Sequence, residues 1–422
     1  MTQEEALQIL KSGRSVFLTG PAGSGKTYVL KEYIRFLRKE KKPVGITAST
    51  GVAATHLNGM TIHSWTGMGI LDTLTKNDLS KIMRKKNVKS RICNSHVLII
   101  DEISMLSAGS INIVEEIMRK TRGSWDPFGG IQVILCGDFF QLPPVNRSGI
   151  ESMGQFAYHS RAWRELNPDV CYLTEQYRHQ DQDYIKVLNA IRTNSVDNQI
   201  IEILNQRIKS GSNGGTNLYT HNVDADKIND RELAKLDDKE VVFHMHSSGP
   251  TALVNVLYKS CLASEVLILK KGAFVMFLRN NFEEGYVNGT FGVVDSFDNE
   301  GCPVVRTNQG RFIHVLPEDW RIENESGKLL ASITQLPLRL AWAITIHKSQ
   351  GMTIDTAEMD LSKCFEPGMG YVALSRVRTL KGISLRGINQ MALRVSPEVV
   401  DMDKDFRLLS EQVVKGLHKK VE

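Results

Sequence analysis

Several things are missing from this sequence, and each absence excludes a class of protein. Among its 422 residues no apolar run reaches the roughly 20 residues that a bilayer-crossing helix needs. The six cysteines, Cys93, Cys136, Cys171, Cys261, Cys302 and Cys364, are scattered with no C-x-x-C pair. That argues against a zinc site and against a disulfide framework, and it leaves the reduced, buried thiols of a cytosolic protein. No internal repeat and no low-complexity run is visible. The N-terminus carries acidic residues and enters a helix directly, so no signal or transit peptide is expected. The expected location is the cytoplasm. A strong charge excess is missing too. The net charge of +5 and pI near 8.7 permit a polyanionic partner without requiring one.

What is present describes an ordinary soluble globular protein, with 41% hydrophobic and 23% charged residues. A chain of 422 residues exceeds what one core usually holds, so two or more domains are expected.

The most specific stretch is Gly20-Pro21-Ala22-Gly23-Ser24-Gly25-Lys26-Thr27, a complete G-x-x-x-x-G-K-[ST] phosphate-binding pattern. Ser15–Thr19 before it is a short apolar run and reads as a buried parallel strand. Tyr28 to Leu37 after it carries Val29, Leu30, Tyr33, Ile34 and Leu37 at helical spacing. Strand, glycine-rich loop and helix are therefore in register. The glycines let backbone N–H groups close around a phosphate, and the helix N-terminus adds positive potential. Lys26 is expected on the β- and γ-phosphates, and the Thr27 hydroxyl on Mg²⁺. Upstream, residues 2–10 read as an amphipathic helix with Thr2 as N-cap. Gln3 in it carries an amide that could read an adenine edge, although alone it reads as a surface residue.

Val44–Ser49 reads as a second strand, followed by Thr50 and Gly51 and then by His63, Ser64 and Trp65. Small and hydroxylated residues at a strand's carboxyl end allow a ligand backbone to approach. His63 and Trp65 either offer a polar and a stacking group or pack internally, and the sequence leaves both open. Residues 66–92 are basic and weakly patterned, with Lys76, Lys81, Arg84, Lys85, Lys86, Lys89 and Arg91, and read as a small exposed insertion. Val97–Glu102 is an all-apolar strand ending in two carboxylates, a run tolerated only by a strand buried on both faces. Asp101 is expected near the metal and Glu102 near the attacking water, at the carboxyl end of the strand neighbouring the phosphate loop. A helix over 107–122 and a buried strand over 131–138 follow, ending near Gln141, whose amide can sense a γ-phosphate or orient the lytic water.

This order of motifs resembles superfamily one helicases. Asp101-Glu102-Ile103-Ser104-Met105-Leu106 resembles the signature block of the Pif family of DNA helicases. Glu175–Arg178, Ala343–Thr353 and Tyr371–Arg378 resemble its later motifs, so the resemblance runs from residue 3 to about 386. It implies a compact bacterial or phage form without the long N-terminal extension of eukaryotic members.

The resemblance implies an α/β fold of two RecA-like parallel-sheet cores. Residues 1–170 would form the first, with the basic insertion at about 66–92. Residues 171–240 and 330–422 would form the second, and 241–329 a small inserted β-barrel. Residues 403–422 read as a mixed-charge helix or tail without an assigned role. By the same resemblance, Lys26, Glu102, Gln141, Arg178 and Arg376 are the catalytic set, the last two as arginine fingers. Gln3, Gly20, Pro21, Ala22, Gly23, Ser24, Gly25, Lys26, Thr27, Tyr28 and Gly351 would surround ATP, with Thr27 and Asp101 holding Mg²⁺. Thr50, Gly51, His63, Ser64, Thr345, His347 and Lys348 would contact single-stranded DNA. The implied activity is ATP-dependent, 5′→3′ DNA unwinding by a monomer, at single-strand/duplex junctions and extending to G-quadruplexes and RNA–DNA hybrids. The family's work lies in replication, repair, recombination and telomere maintenance.

Three rival readings were open to the sequence. A RecD-like or relaxase motor is disfavoured by the block after Glu102 and by the short chain. A kinase or GTPase leaves Arg178, His347–Gln350 and Arg376 unexplained. A scaffold with a dead pocket is disfavoured because every catalytic position holds a competent residue type.

Overall fold

Six short runs of the N-terminal part come together as one parallel sheet. In the computed structural model β1 (Val16–Thr19), β2 (Val44–Ala48), β3 (Met60–Thr61), β4 (Val97–Asp101), β5 (Gln132–Cys136) and β6 (Asp169–Tyr172) lie in the order 3-2-4-5-1-6. The structure describes every residue except 56, 58, 70, 72, 145–155, 176–180, 210–215, 221, 262, 280, 282, 287, 324–328, 353 and 419–422. β1 and β4 are buried along their whole length, as expected for strands covered on both faces. The strands neighbouring β1 are β5 and β6, however, and β4 lies beyond β5. Asp101 and Glu102 therefore sit one strand further from the phosphate loop than the expected adjacency.

The chain forms two compact units. The first is Met1–Asp197 with Glu366–Tyr371 and Leu393–Glu422, and the second is Asn198–Phe365 with Val372–Ala392. This moves the boundary expected at 170/171. The strand 169–172 pairs with β1 in the first sheet (Val16 with Asp169, Thr19 with Tyr172), so it closes the first unit and does not open the second. The C-terminal residues return to the first unit as well. The helix Pro397–His418 packs on β6, and its Phe406 joins an aromatic cluster with Phe17, Phe139, Tyr158 and Trp163. Of the tail left without a role, residues 403–418 form a structural face of the first unit.

Local chemistry explains the elements that carry function. Thr2 and Glu5 form a reciprocal capping box at the start of the helix Gln3–Lys11, which stabilises it by about 1 kcal/mol. Ser107 caps the helix Ala108–Arg122, and Ile111, Val114, Ile117 and Met118 bury its inner side. The basic stretch forms two short helices, Lys76–Met83 and Lys86–Asn94, anchored by buried Ile82, Val88 and Ile92. Trp65 is core: a side chain at Gly45 would come within 2.6 Å of its ring, so glycine there makes room for the indole.

The second unit holds a four-stranded parallel sheet in the order Ala343–Thr345, Thr216–Tyr219, Ala357–Leu361, Ile383–Ile388. Between its strands lies the β-rich insertion. A five-stranded antiparallel sheet and the pair Val241–His244/Val266–Leu269 share one apolar core that includes Leu267, Val275, Phe277, Val294, Val305 and Leu338. A third sheet, built on Leu329–Gln335, packs with the helix Thr251–Ser260. The insertion therefore draws on strands as far as Leu338–Leu340, beyond the expected limit at 329.

Candidate nucleotide site

The phosphate loop leaves β1 and returns as the helix Lys26–Lys39. Its turns need backbone that side-chain-bearing residues avoid: Gly20, Gly23 and Gly25 have φ of 145°, 84° and 89°. Gly25 is the helix N-cap and offers no side-chain bond, so the first amides of the helix are left for an anion. The Ser24 hydroxyl is buried with no hydrogen-bond partner. An orphaned hydroxyl in a loop of this geometry fits a phosphate oxygen as its missing partner. Lys26 folds back inside the loop and donates to Gly20 O (2.8 Å) and Pro21 O (3.1 Å). Burial lowers its pKa, while Asp138, Cys136 and Glu102 pull the other way. An anion replacing those two carbonyls would give this ammonium the counter-charge it lacks.

Gln3 reaches the same loop and donates to Ser24 O at 3.1 Å, so it is a loop contact and not a free surface side chain. Tyr28 is exposed on the helix's first turn. Asp101 ends β4, and burial raises its carboxyl pKa, opposed by a bond from the Cys136 thiol. Its Oδ1 accepts from Glu102 N at 2.9 Å. Glu102 has φ 52° and ψ 47°, left-handed backbone that costs on the order of 1–3 kcal/mol for a residue with a side chain. That turn re-aims the carboxylate straight after the strand. Gln141 is buried and lies against Asp138, its backbone N–H donating to Asp138 O at 3.0 Å.

Other expected positions are laid out within their own units. In the first, Thr50 Oγ1 accepts from Ala53 N at the start of the helix Gly51–Thr55, and Thr61 caps the helix Ile62–Thr66 that carries His63 and Ser64. In the second, Thr345 ends its strand and is buried, Lys348 N donates to Thr345 Oγ1 (3.4 Å), and Lys348 has its pKa lowered by burial and by Arg339. His347 is half-buried beside them, and Gly351 is exposed in the same unit with φ 77°. Arg376 is buried and donates to Val372 O and Ser375 Oγ. Arg178 lies outside the described residues.

A buried ionic cluster beside the loop was missed in the sequence. Arg192 donates to both oxygens of Asp138 at 2.8 and 2.9 Å, stacks 3.8 Å from the Phe140 ring, and also meets Tyr371, Tyr172 and Asp403. Asp138 stood in view as the charge that ends the apolar run 131–138. Arg192 gave no signal beyond ending an amphipathic helix.

The model of the PIF1-like helicase family matches residues 3–213, and that of the DNA helicase Pif1 2B domain matches 252–297. The chain belongs to the Pif1-like helicase family. Membership makes it a helicase driven by ATP. It is similar to the ATP-dependent DNA helicase Pif1 of Psychrobacter sp., 44% identical over all of this chain and 73% of that protein. Among solved structures it is similar to the Pif1 helicase of Candida albicans (TM-score 0.81, 35% identity, 96% of this chain and 98% of that one). It is also similar to a Bacteroides Pif1 in complex with ADP-AlF3 and single-stranded DNA (TM-score 0.69, 30% identity, 96% and 98%). The 2B match falls inside the β-rich insertion of the second unit.

Proposed function

We propose that the chain is a DNA-stimulated ATPase that moves 5′→3′ along single-stranded DNA and unwinds duplex at single-strand/duplex junctions. The observation that carries it is the phosphate loop with its orphaned Ser24 hydroxyl and inward-folded Lys26, in a chain of this family. ATP hydrolysis is phosphoryl transfer, so the protein's task is to position groups and stabilise charge. Lys26 takes the β- and γ-phosphates. Glu102 orients or deprotonates the attacking water, Gln141 senses the γ-phosphate, and Arg178 and Arg376 act as arginine fingers. Gln3, Tyr28, Gly351 and the loop from Gly20 to Thr27 bind the nucleotide.

Thr27 and Asp101 offer hard oxygen donors for Mg²⁺. Among the described residues no group of three or more His, Cys, Asp or Glu gathers to hold a metal. A sparse protein contribution fits an ion that keeps waters and takes its other ligands from phosphates. When bound, the ion neutralises charge developing on the phosphate oxygens.

Single-stranded DNA is the track, supported by the complex of the Bacteroides relative. Its contacts are Thr50, Gly51, His63 and Ser64 in one unit and Thr345, His347 and Lys348 in the other. G-quadruplexes and RNA–DNA hybrids are further substrates, and the protein acts as a cytoplasmic monomer in replication, repair or recombination. Among the described residues no helix is long and apolar enough to cross a membrane.

Duplexes with a 5′ or a 3′ single-stranded tail test the polarity. ATP-dependent unwinding of the 5′-tailed duplex is expected, and preference for the 3′ tail would reverse the assignment. Arg376→Ala should bind ATP and lose on the order of 10³-fold in turnover, the scale of an arginine finger. Near-normal turnover would remove Arg376 from the site.

A further inference from the structure

The ionic cluster beside the phosphate loop has one member whose contacts do more than fill a core. Tyr371 is buried and lies on the helix Met369–Leu374, within the short segment Glu366–Tyr371 that belongs to the first unit. Its hydroxyl accepts from Ala22 N of the phosphate loop at 3.2 Å and from Arg192 Nη1 at 3.1 Å, and it donates to Asp138 Oδ2 at 3.3 Å. One donor and two acceptor sites are thereby all used. Burial, with Asp138 adding to it, pushes this hydroxyl up to about 12, so it keeps its proton at working pH.

Asp138 is the hub on the far side. Its carboxylate accepts from Arg192, from Phe140 N at 3.3 Å and from the Gln141 side chain at 3.5 Å. The same segment presses on the Gln141 turn at a second point. Gly368 has φ 89°, and a side chain there would come within 2.7 Å of Gln141 O and 2.8 Å of Phe140 O. The backbone of 366–371 is thus seated on the turn that carries Gln141, while its tyrosine holds an amide of the phosphate loop.

We propose that the Tyr371 hydroxyl is a positioning group for ATP hydrolysis, tying the phosphate loop at Ala22 to the Asp138–Arg192 pair and through it to the Gln141 turn. A shift of the loop on binding phosphate must move or break this bond, and the Gln141 turn registers it. Tyr371 is also the last residue of its segment before the chain passes into the second unit at Val372, five residues before Arg376. This inference rests on the ATPase reading above.

The test is Tyr371→Phe in the full chain, which removes one hydroxyl and keeps the ring. ATPase with saturating single-stranded DNA should show kcat lowered about tenfold, the size of the lost bond to Ala22 N alone, with KM for ATP within about twofold. The melting temperature should fall by no more than several degrees, leaving the chain folded at assay temperature, and single-stranded DNA affinity should match the wild type. Wild-type kcat in Tyr371→Phe would overturn the proposal, and so would a loss explained by a smaller folded fraction. Gly368→Ala is the second variant: it keeps the hydroxyl but crowds the Gln141 turn, and it too should lower kcat more than it raises KM. A wild-type chain without DNA-stimulated turnover would instead overturn the ATPase reading itself.

Discussion

Both units hold a parallel sheet with loops at its strand ends, yet only the first sends one of those strands into Gly20–Thr27. The six-stranded sheet carries the phosphate loop, Asp101-Glu102 and Gln141 within one unit. The four-stranded sheet of the second ends its strand Ala343–Thr345 just before His347-Lys348, and no strand of it leads into a G-x-x-x-x-G-K-[ST] pattern. Their ion pairs differ in the same sense. Arg192–Asp138 in the first unit is buried on both sides, with side chains 3% and 0% exposed. Arg386–Glu358 on the second sheet leaves its arginine 52% exposed. A shared scaffold thus carries the phosphate loop and a buried ion pair in one unit and a partly exposed ion pair in the other, because chemistry resides in the loops and not in the sheet.

The largest break in this comparison is Lys26→Ala. It should lower ATPase by on the order of 10³-fold or more and stop unwinding, while single-stranded DNA binding persists, measured by turnover and by anisotropy of a labelled oligonucleotide. Intact DNA-stimulated turnover would contradict the assignment. Arg192→Met comes next. Removing one partner of a buried pair strands Asp138 and should cost about 3–5 kcal/mol in denaturant unfolding. Lys348→Ala should leave basal ATPase unchanged and reduce the slope of log K against log salt by about one for a single phosphate contact. Arg386→Ala should be the mildest, at about 1 kcal/mol, because its guanidinium is half in solvent although Glu358 is only 13% exposed. If Arg386→Ala proved as costly as Arg192→Met, the contrast between the units would be lost.

The parts legible in the sequence share a local signature. The phosphate loop, the apolar run into Asp101 and the strands Val266–Leu269 and Pro303–Thr307 are written in adjacent residues. What escaped depends on pairing. Asp169–Tyr172 looks like any short apolar strand, and nothing within it says that its partner is β1, about 150 residues earlier. The strand His246–Ser248 buries none of its residues and has no apolar pattern to betray it. The Asp138–Arg192–Tyr371 cluster draws on three distant segments, so no spacing marks it. Trp65 could have stacked on a base or packed in the core, and the bare Cα of Gly45 beside it shows which.

The measurement that bears most directly on the account is the ATPase rate of the purified chain with and without single-stranded DNA. The account predicts strong stimulation by DNA, abolished in Lys26→Ala. Equal turnover in the two conditions would contradict a motor driven along DNA, and no turnover in either would contradict a working nucleotide site.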